Sequence, residues 1–548
     1  MPPAPPSLPM TAIDRRSLLT GGVLGLGLIA APLSAQAASG FTHGVASGEP
    51  SARSVLLWTR YAGKQDAKLR WEVSETADFA HVVSGGNAVA APAHDWCAKA
   101  VATGLKPATW YHYRFIAPDG TISGIGRTRT LPEGQTDRFR MAVFSCANLG
   151  FGYFNSYAHA ADADAFELAV HLGDYLYEYD HDTYPTEKQR VADRTPLPLT
   201  EAVHLADYRQ RYASYRSDPD LLRLHQMYPM IAVFDDHETA NDTWKGGAEN
   251  HTPSTEGPWD ARKKAAMQAR SEWLQISDEP WARYDVGDLA TLFRLETRLT
   301  ARDKPFDLSG VVKGMAPAQA EAALKAFHDG AYMDAKRTMM GPAQEQWLAD
   351  GMKASVKSGR KWQVLVQQVV MGSVLLPPTV SLDLDPEVEK LAASRMAGLL
   401  AATAAGIPFN MDSWDGYPAA RKRLLDSARA AEANLVVLSG DSHNAWAFEH
   451  PGAGVEFGGT SVTSPGAESY LPFVKATTLA KALIGANGAL EWCDTSRRGY
   501  MAVELTPQKA ACEWRFADTV KRRDPAHSDT TRLAANHGAR AFTEGLSG

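Results

Sequence analysis

Short apolar runs alternate with helical patterns over most of the chain, and this alternation predicts a layered α/β domain. Six apolar runs have the length of buried strands: residues 141–145, 166–172, 229–234, 289–295, 362–371 and 434–439. Four longer stretches have helical composition and spacing: residues 260–276, 342–356, 386–405 and 417–433. Strands that alternate with helices favour sheets covered by helices.

The region before this alternation has a different pattern. Short runs that alternate apolar and polar residues, separated by turn residues, occur at residues 54–60, 69–73, 98–101 and 110–115. This pattern is typical of a small antiparallel β-sandwich. We therefore predict four segments: a targeting segment over residues 1–37, a sandwich over 38–132, a catalytic α/β domain over 137–520 and a weakly patterned polar tail over 521–548.

Composition limits the possible partners. The chain has 548 residues, of which 45% are hydrophobic and 22% charged, so it is long and apolar enough for a large buried core. Its formal net charge is −7. Because there is no overall basic field and no long block of Lys or Arg, we expect no stable nucleic-acid partner, and no stable membrane partner either.

The N-terminus has the features of an export signal. Arg15 and Arg16 precede an apolar stretch over residues 21–32, and the small residues Ala35 and Ala37 suit signal peptidase. The arginine pair resembles a twin-arginine signal, which predicts the twin-arginine export machinery as a partner and a periplasmic or secreted protein. The alternatives are an ordinary secretory signal and a short membrane anchor. The apolar stretch is shorter than the roughly 20 residues that a spanning helix needs.

Four cysteines in an exported chain raise the question of disulfides. Cys493 and Cys512 lie close enough in sequence to pair, although sequence alone leaves that pairing open. Cys97 is isolated in the N-terminal region. Cys146 is either a buried core thiol or part of a site, and its place at the end of an apolar run favours the site.

Side chains able to bind metals follow four of the apolar runs. They are Cys146, then Asp174 and Tyr177, then Asp235 and His237, then Asp441 and His443. In an open α/β sheet, ligands bind beyond the carboxyl ends of the strands, so these side chains can converge. Taken singly, each has an ordinary structural alternative: a Gly-Asp turn, a helix cap, a core phenol or a structural histidine.

The residue types indicate two unlike cations. A carboxylate such as Asp174 can bridge two ions, which together activate water and neutralise phosphoryl oxygens. The Cys146 thiolate and Tyr177 phenolate suit a high-valent transition metal. Asp235, Asn241 and Asp441 offer oxygens to a hard cation.

Two further residues are candidates for contact with the substrate. Arg298 can form bidentate hydrogen bonds with a phosphate, and a surface ion pair with Glu296 is its structural alternative. His237 can protonate the leaving group, or it can instead support a metal ligand. We therefore assign His237 and Arg298 as catalytic candidates.

Five ordered motifs carry a family resemblance: FSCANLGFGYFNSY, HLGDYLYEY, FDDHETANDTW, LETR and LSGDSHNAW. Together they resemble the PhoD-like alkaline phosphatases, a branch of the calcineurin-like metallophosphoesterases related to purple acid phosphatases. The early stretch FTHGVASGEPSARSVLLWTR resembles the N-terminal sandwich of that family. The resemblance implies a four-layer α/β/β/α core preceded by a small all-β domain.

The resemblance also implies ferric iron and calcium as cofactors. It suggests Cys146, Asp174 and Tyr177 as iron ligands, with Asp174 also reaching calcium. The other residues on its metal motifs, which it leaves undivided between the two ions, are Asp235, Asn241, Asp441 and His443. Asp242 directly follows Asn241, and if Asp242 coordinates, the choice of Asn241 is the one in doubt.

The expected function is hydrolysis of small-molecule phosphate esters, monoesters and possibly diesters, by an exported alkaline phosphatase. A metal-bound hydroxide would attack phosphorus without a covalent enzyme intermediate. A phospholipase D-type phosphodiesterase and a non-catalytic secreted binding protein with structural metal are the alternatives. A serine hydrolase is not supported, because no Gly-x-Ser-x-Gly elbow occurs near a strand end.

Overall fold

A computed structural model describes residues 40–395 and 397–543 of the chain. The predicted export segment, residues 1–37, lies outside the described residues. Within those two ranges, every helix is too short or too polar to cross a membrane.

The described residues contain twenty strands. The first ten are β1 (Phe41–Gly48), β2 (Ser54–Tyr61), β3 (Ala67–Ser74), β4 (Val82–Ala90), β5 (Cys97–Thr103), β6 (Trp110–Ile116), β7 (Gly126–Arg129), β8 (Phe139–Phe144), β9 (Leu168–His171) and β10 (Pro229–Ala232). The others are β11 (Ala282–Val286), β12 (Ala290–Arg294), β13 (Trp362–Val366), β14 (Leu435–Ser439), β15 (Ala445–His450), β16 (Gly454–Gly458), β17 (Leu490–Asp494), β18 (Gly499–Leu505), β19 (Lys509–Phe516) and β20 (Asp529–Asn536).

Thirteen α-helices lie in the same described ranges. They are α1 (Asn155–Ala163), α2 (Leu205–Tyr215), α3 (Pro219–Met227), α4 (Pro253–Glu256), α5 (Trp259–Trp273), α6 (Leu308–Val312), α7 (Pro317–Phe327), α8 (Gly341–Lys357), α9 (Pro386–Arg395), α10 (Ala397–Ala404), α11 (Pro418–Ala430), α12 (Ala467–Tyr470) and α13 (Ala476–Ala486). The helix predicted over residues 386–405 corresponds to α9 and α10.

Two large sheets form the centre of the molecule. One has nine strands in the order β20-β19-β18-β8-β9-β10-β1-β2-β5, and the other has seven in the order β11-β12-β13-β14-β16-β15-β17. Both contain a parallel group, β8, β9 and β10 in the first sheet and β12, β13 and β14 in the second. Each of these strands is apolar and almost wholly buried, as strands covered on both faces require.

Apolar side chains from the two sheets pack against each other in one core, which includes Val143, Val170, Leu292, Val364 and Val436. The outer face of the nine-stranded sheet packs against α1, α2, α3 and α5. The outer face of the seven-stranded sheet packs against α8 and α11. The layers are therefore helix, sheet, sheet, helix, which confirms the predicted four-layer α/β/β/α core.

The N-terminal region is all β, as predicted, and shares a sheet with the core. Its four-stranded sheet, in the order β4-β3-β6-β7, packs on β1, β2 and β5 through a separate apolar cluster. β1 pairs in parallel with β10, with Ser47 opposite Pro229. The sandwich is thus built on one end of the nine-stranded sheet, which fixes its position relative to the catalytic core.

The weakly patterned polar tail predicted over residues 521–548 contains a strand of the core. β20 pairs with β19 along its whole length and forms an edge of the nine-stranded sheet. Leu533, Ala534 and Ala535 are buried. Only this short apolar stretch lies within a mainly polar segment, so the sequence pattern there was too weak to indicate a strand.

Each of the four cysteines is a buried free thiol. The possible pairing of Cys493 with Cys512 is therefore not made. Cys493 lies on β17 in the seven-stranded sheet, whereas Cys512 lies on β19 in the nine-stranded sheet. Proximity in sequence did not bring the two thiols together, because the strands between them change sheet.

Candidate metal centre

The candidate site lies where the carboxyl ends of parallel strands from both sheets meet. Cys146 follows β8, Asp174 follows β9 and Asp235 follows β10. From the other sheet, Arg298 follows β12 and Asp441 follows β14. The backbone N–H of Gly440 donates to the carbonyl of Gln368, which follows β13, at 2.6 Å.

Four site residues have a left-handed backbone, which is uncommon for residues other than glycine. The φ angles are 57° at Cys146, 54° at Asp174, 64° at Asp441 and 59° at His443. Such conformations cost free energy and persist where the surrounding structure holds them, most often at functional sites. Here they turn each side chain sharply at the end of its strand.

Gly173 allows two of these strand ends to approach closely. Its φ is 103°, and a Cβ atom built there would lie 2.3 Å from the Cβ of Asp235. No other residue type fits that position without moving Asp235. The Gly-Asp pair at 173–174 therefore positions both carboxylates.

One group of potential ligands contains a thiol, a carboxylate and an imidazole. Ligand atoms of Cys146, Asp174 and His443 all lie within 4.8 Å of one another. The Tyr177 hydroxyl donates to Asp174 Oδ2 at 2.9 Å and lies 3.1 Å from His443 Nε2. His443 Nδ1 lies 2.9 Å from the carbonyl oxygen of Pro465, to which it donates, so Nε2 is the nitrogen available to a metal.

A second group consists of carboxylates. Asp235, Asp236 and Asp441 have oxygens within 4.8 Å of one another, as do Asp236, Asp242 and Asp412. Asp174 also groups with Asp236 and His237, so it belongs to both halves of the site. Its position is compatible with a bridging role, which stays a prediction.

Arg298 lies inside the carboxylate group and is fully buried. Its guanidinium donates to Asp235 Oδ1 at 2.5 Å, Asp412 Oδ2 at 2.5 Å and Asp441 Oδ1 at 2.7 Å. The Glu296 carboxylate instead accepts the backbone N–H of Arg298 at 2.7 Å. The surface ion pair with Glu296, considered as an alternative from the sequence, is therefore wrong.

The donor set fits cations. Asp174 Oδ1 and Asp235 Oδ2 are buried without a hydrogen-bond partner in the described structure, and a buried carboxylate oxygen left in that way is costly. Two arginines, Arg298 and Arg302, face six aspartates. Two bound metal cations would neutralise the negative charge that the two arginines leave uncompensated.

Burial shifts the pKa values of these groups strongly. It raises the pKa of Asp174 and of Asp441 to about 7, and raises the pKa of the Cys146 thiol well above its usual value. Burial likewise raises the pKa of Asp235, although Arg298 opposes the effect. Since metals bind the deprotonated forms, binding of cations here is coupled to release of protons.

His237 lies beside the bridging aspartate. Its Nδ1 is 2.8 Å from Glu178 Oε2, which orients the ring. Burial acts to lower the pKa of His237, but the Asp236, Glu178 and Asp174 carboxylates raise it well above 6.5. These carboxylates therefore favour the protonated form of His237.

Asn241 and its neighbour Asp242 have different surroundings. Asn241 Nδ2 donates to Glu249 Oε2 at 3.3 Å, and its backbone N–H donates to Glu178 Oε1 at 2.7 Å. Asp242 has a φ of 51° and lies among the carboxylates with Asp236 and Asp412. Both residues line the cavity in front of the site.

Sequence reasoning missed four acidic residues of this site. Asp236 and Glu238 lie in the motif FDDHETANDTW, in which only Asp235, His237 and Asn241 were predicted as site residues. Glu178 directly follows Tyr177. Asp412 had no signal, because it lies in a loop that no apolar run precedes.

Glu238 holds the strand ends rather than a metal. Its carboxylate accepts the backbone N–H groups of Asp174 at 3.1 Å, Tyr175 at 2.7 Å and Asp235 at 2.9 Å. Burial raises its pKa to about 7. The loops after β9 and β10 are thus joined through one side chain.

A cavity of about 440 Å³ opens onto these groups. Asp236, His237, Asp441 and His443 line its inner part, and Tyr184 and Tyr470 line it as well. A cavity of this size can hold a small ester with its phosphate against the ligand groups.

Comparison with known proteins identifies the family. The family model described as PhoD-like phosphatase matches residues 141–514, and the model of the PhoD-like phosphatase N-terminal domain matches residues 28–132. The chain belongs to the PhoD-like phosphatase family. It is therefore a phosphoric ester hydrolase, and the alternative of a non-catalytic binding protein is wrong.

Two relatives of this PhoD-like phosphatase show how far the similarity extends. It is 30% identical to alkaline phosphatase D of Bacillus subtilis (strain 168) over 541 residues, which cover 90% of this chain and 80% of that protein. A solved structure titled "Structure of PhoD" matches with a TM-score of 0.74 and 27% identity, covering 93% of each chain. The similarity therefore includes both the sandwich and the catalytic core.

Proposed function

We propose that this PhoD-like phosphatase is an exported enzyme that hydrolyses phosphate monoesters and diesters with an unlike pair of metals, ferric iron and calcium. The observation that carries the proposal is the place of Asp174, whose carboxylate groups with Cys146 and His443 on one side and with Asp236 and His237 on the other. A thiol and a phenol on one side and carboxylates on the other support two metals of different character.

The residues divide between the two ions by chemistry. Cys146, Asp174, Tyr177 and His443 would hold iron, and Asp174 with Asp235, Asp236, Asp441 and the residues at 241–242 would hold calcium. When bound, such a pair lowers the pKa of water to give a hydroxide near neutral pH and neutralises the oxygens of the phosphoryl group.

Two side chains of the protein would then orient the substrate and protonate its leaving group. Arg298, at the centre of the carboxylates, would offer its N–H groups to the oxygens of a bound phosphoryl group. His237, protonated and held by Glu178, donates a proton to the leaving alkoxide. No side chain need form a covalent bond to phosphorus.

Turnover of three ester classes tests the substrate range. We expect the purified protein to release phosphate from monoesters and to cleave small diesters. A phospholipase D-type enzyme would instead prefer a phospholipid in mixed micelles over both small esters. Preference for the phospholipid would overturn the proposed substrate class while leaving phosphoesterase chemistry in place.

A visible spectrum tests the iron assignment. A tyrosinate on ferric iron has a charge-transfer band, in addition to the band of a ferric thiolate, so Tyr177→Phe should remove the tyrosinate band and change the spectrum. Tyr153→Phe is the matched control, since its hydroxyl bonds Asp193 at the surface. A Tyr177→Phe protein with the same visible spectrum as the wild type would refute the assignment of Tyr177.

Export is proposed from residues 1–37 alone. Replacement of Arg15 and Arg16 by lysine should retain the protein inside the cell if the route is twin-arginine. Unchanged export of that variant would indicate an ordinary secretory signal. The twin-arginine route suits this enzyme because the chain would fold and bind metal before it crosses the membrane.

A further inference from the structure

A second cavity, of about 680 Å³, lies beside the metal centre. Its walls are formed by residues 188–190, 496–498 and 517–521, together with Phe151, Thr463, Pro465, Glu468 and Ser469. None of these residues belongs to the metal ligands assigned above. We call it the basic cavity, after the charges that line it.

The net charge of the side chains that line the basic cavity is positive, opposite to the net charge of the protein. The protein has a formal net charge of −7, but five cationic side chains line this cavity against two acidic ones, Glu468 and Asp518. The cations are Lys188, Arg190, Arg497, Arg498 and Lys521. A concave surface with one sign of charge concentrates ligands of the opposite sign.

Several of these cations retain unused hydrogen-bonding capacity. Lys188 is exposed and has no hydrogen bond or ion pair among the described residues. Arg190 Nη2 donates to Asp182 Oδ1 at 3.0 Å, but its Nε is buried without an acceptor. Arg498 pairs with Glu468, and its Nη1 is likewise buried without an acceptor. An anion in the cavity would supply Lys188 with the acceptor that it lacks.

Lys521 adds a charge that carbonyl groups hold in place. Its Nζ donates to the carbonyl oxygens of Phe151 at 2.8 Å and Gln189 at 3.0 Å, neither of which carries a negative charge. Arg497 differs, because Asp494 and Asp529 already pair with it. The uncompensated charge is therefore concentrated at Lys188 and Lys521.

Residues 465 and 469–470 connect the lining of the basic cavity with the metal centre and its cavity. Pro465 lines the basic cavity, while its carbonyl oxygen accepts from His443 of the metal centre at 2.9 Å. Ser469 lines the basic cavity and the next residue, Tyr470, lines the catalytic one. Gln189, which also lines the basic cavity, donates from its Nε2 to Ser469 Oγ at 3.2 Å. The two cavities are therefore neighbours, with residues 465–470 between them.

We propose that the basic cavity binds a second phosphate group of the substrate while the first is hydrolysed at the metal centre. The inference rests on the proposed esterase function of the metal centre, and it names the substrates that the enzyme favours: esters that carry two phosphates on one backbone. Cations that hold a remote group give affinity without touching the reacting phosphorus.

Alkanediol bisphosphates of increasing chain length, each compared with the matched alkanediol monophosphate, test the proposal. For the wild-type holoenzyme we expect kcat/KM of one bisphosphate to exceed that of its monophosphate about tenfold, as one charge-assisted hydrogen-bonded contact gives. The Lys188→Gln, Arg190→Gln double variant should lose this advantage and keep its activity on monophosphates. Lys188→Arg should retain it, and the Lys353→Gln, Lys357→Gln double variant, at two exposed positions on α8, is the charge-matched control.

The outcomes separate the inference from the proposed function. Absence of activity on every monophosphate would overturn the esterase function itself. Monophosphate activity without a bisphosphate advantage at any chain length would overturn the second phosphate site alone. If inorganic phosphate changes monophosphate turnover in the wild type but not in the double variant, and no bisphosphate advantage exists, the cavity binds free phosphate and the substrate claim is wrong.

Discussion

Asp174 is the side chain in which the two halves of the metal centre meet. Asp174→Ala removes a ligand from both metals, so we expect at least about a 100-fold loss of phosphate release, in line with the effects of losing groups that support a metal site. Asp350→Ala, which removes an exposed carboxylate from α8, should leave turnover unchanged. Phosphate release from a monoester is the measurement, and an Asp174→Ala protein with wild-type turnover would rule out the bridging role.

Arg298 tests whether the carboxylates need a cation. Its truncation in Arg298→Met leaves Asp235, Asp412 and Asp441 without their buried partner, so without added metal the free energy of unfolding should fall by about 3–5 kcal/mol. Added calcium should restore part of that loss, because it binds the folded state at the same carboxylates. Denaturant unfolding with and without calcium measures both effects. Stability that calcium leaves unchanged would contradict a hard-cation site there.

Individual site residues were predictable where they follow a strand that the sequence pattern indicates. Cys146, Asp174, Asp441 and His443 each follow a buried apolar run, and the sequence showed that directly. Asp412 was not predictable, since its position depends on how a loop after α10 folds back over the site. The left-handed backbone of these residues also lay beyond the sequence, because it is imposed by tertiary contacts.

Among the elements, β20 shows that the end of the chain belongs to the core. Leu533 is 3% exposed and packs between the two sheets, so Leu533→Ala should lower the free energy of unfolding by about 2–5 kcal/mol. Arg532→Ala, the exposed neighbour on the same strand, is the control and should cost little. Equal stabilities of the two variants would place β20 outside the folded core.

Strand β9 carries a buried histidine that makes stability depend on pH. Burial lowers the pKa of His171 from 6.5 to about 3, and its Nε2 lies 2.9 Å from the Tyr157 hydroxyl. Between pH 6.5 and 3 the unfolded chain therefore binds a proton that the folded chain does not, so the free energy of unfolding falls as pH falls. Above pH 6.5 this contribution is constant.

His171→Gln removes that proton linkage. Across the same pH window, the wild type should lose roughly 1.4 kcal/mol per pH unit more than the variant does. Unfolding curves at several pH values measure the difference in slope, and any constant cost of the substitution cancels. Parallel stability curves for the two proteins would show that His171 is not held neutral in the fold.

The elements with a clear period were predictable and those without one were not. The helical patterns correspond to α5, α8, α9 with α10, and α11, and the apolar runs to the six strands β8, β9, β10, β12, β13 and β14. The parallel pairing of β1 with β10 could not be predicted from the sequence, because the two strands are far apart along the chain. Local pattern determines the element, whereas distant contacts determine which strands become neighbours.

For the whole molecule, the common edge of two sheets explains why ligands so distant in sequence form one site. Residues from Cys146 to His443 converge because the parallel strands of both sheets end at that edge. The sandwich extends one of these sheets through β1 and leaves the edge open to substrate. The family and the four-layer core were predictable from ordered motifs, but the shape of the two adjoining cavities was not.

Elemental analysis of active protein tests the central claim most directly. The claim is that one thiol, one phenol and a set of carboxylates hold two unlike metals that the esterase reaction requires. We predict iron and calcium in the wild type, loss of both from Asp174→Ala, and loss of activity on chelation with recovery when both metals are returned. Fully active protein that contains neither metal would contradict the claim.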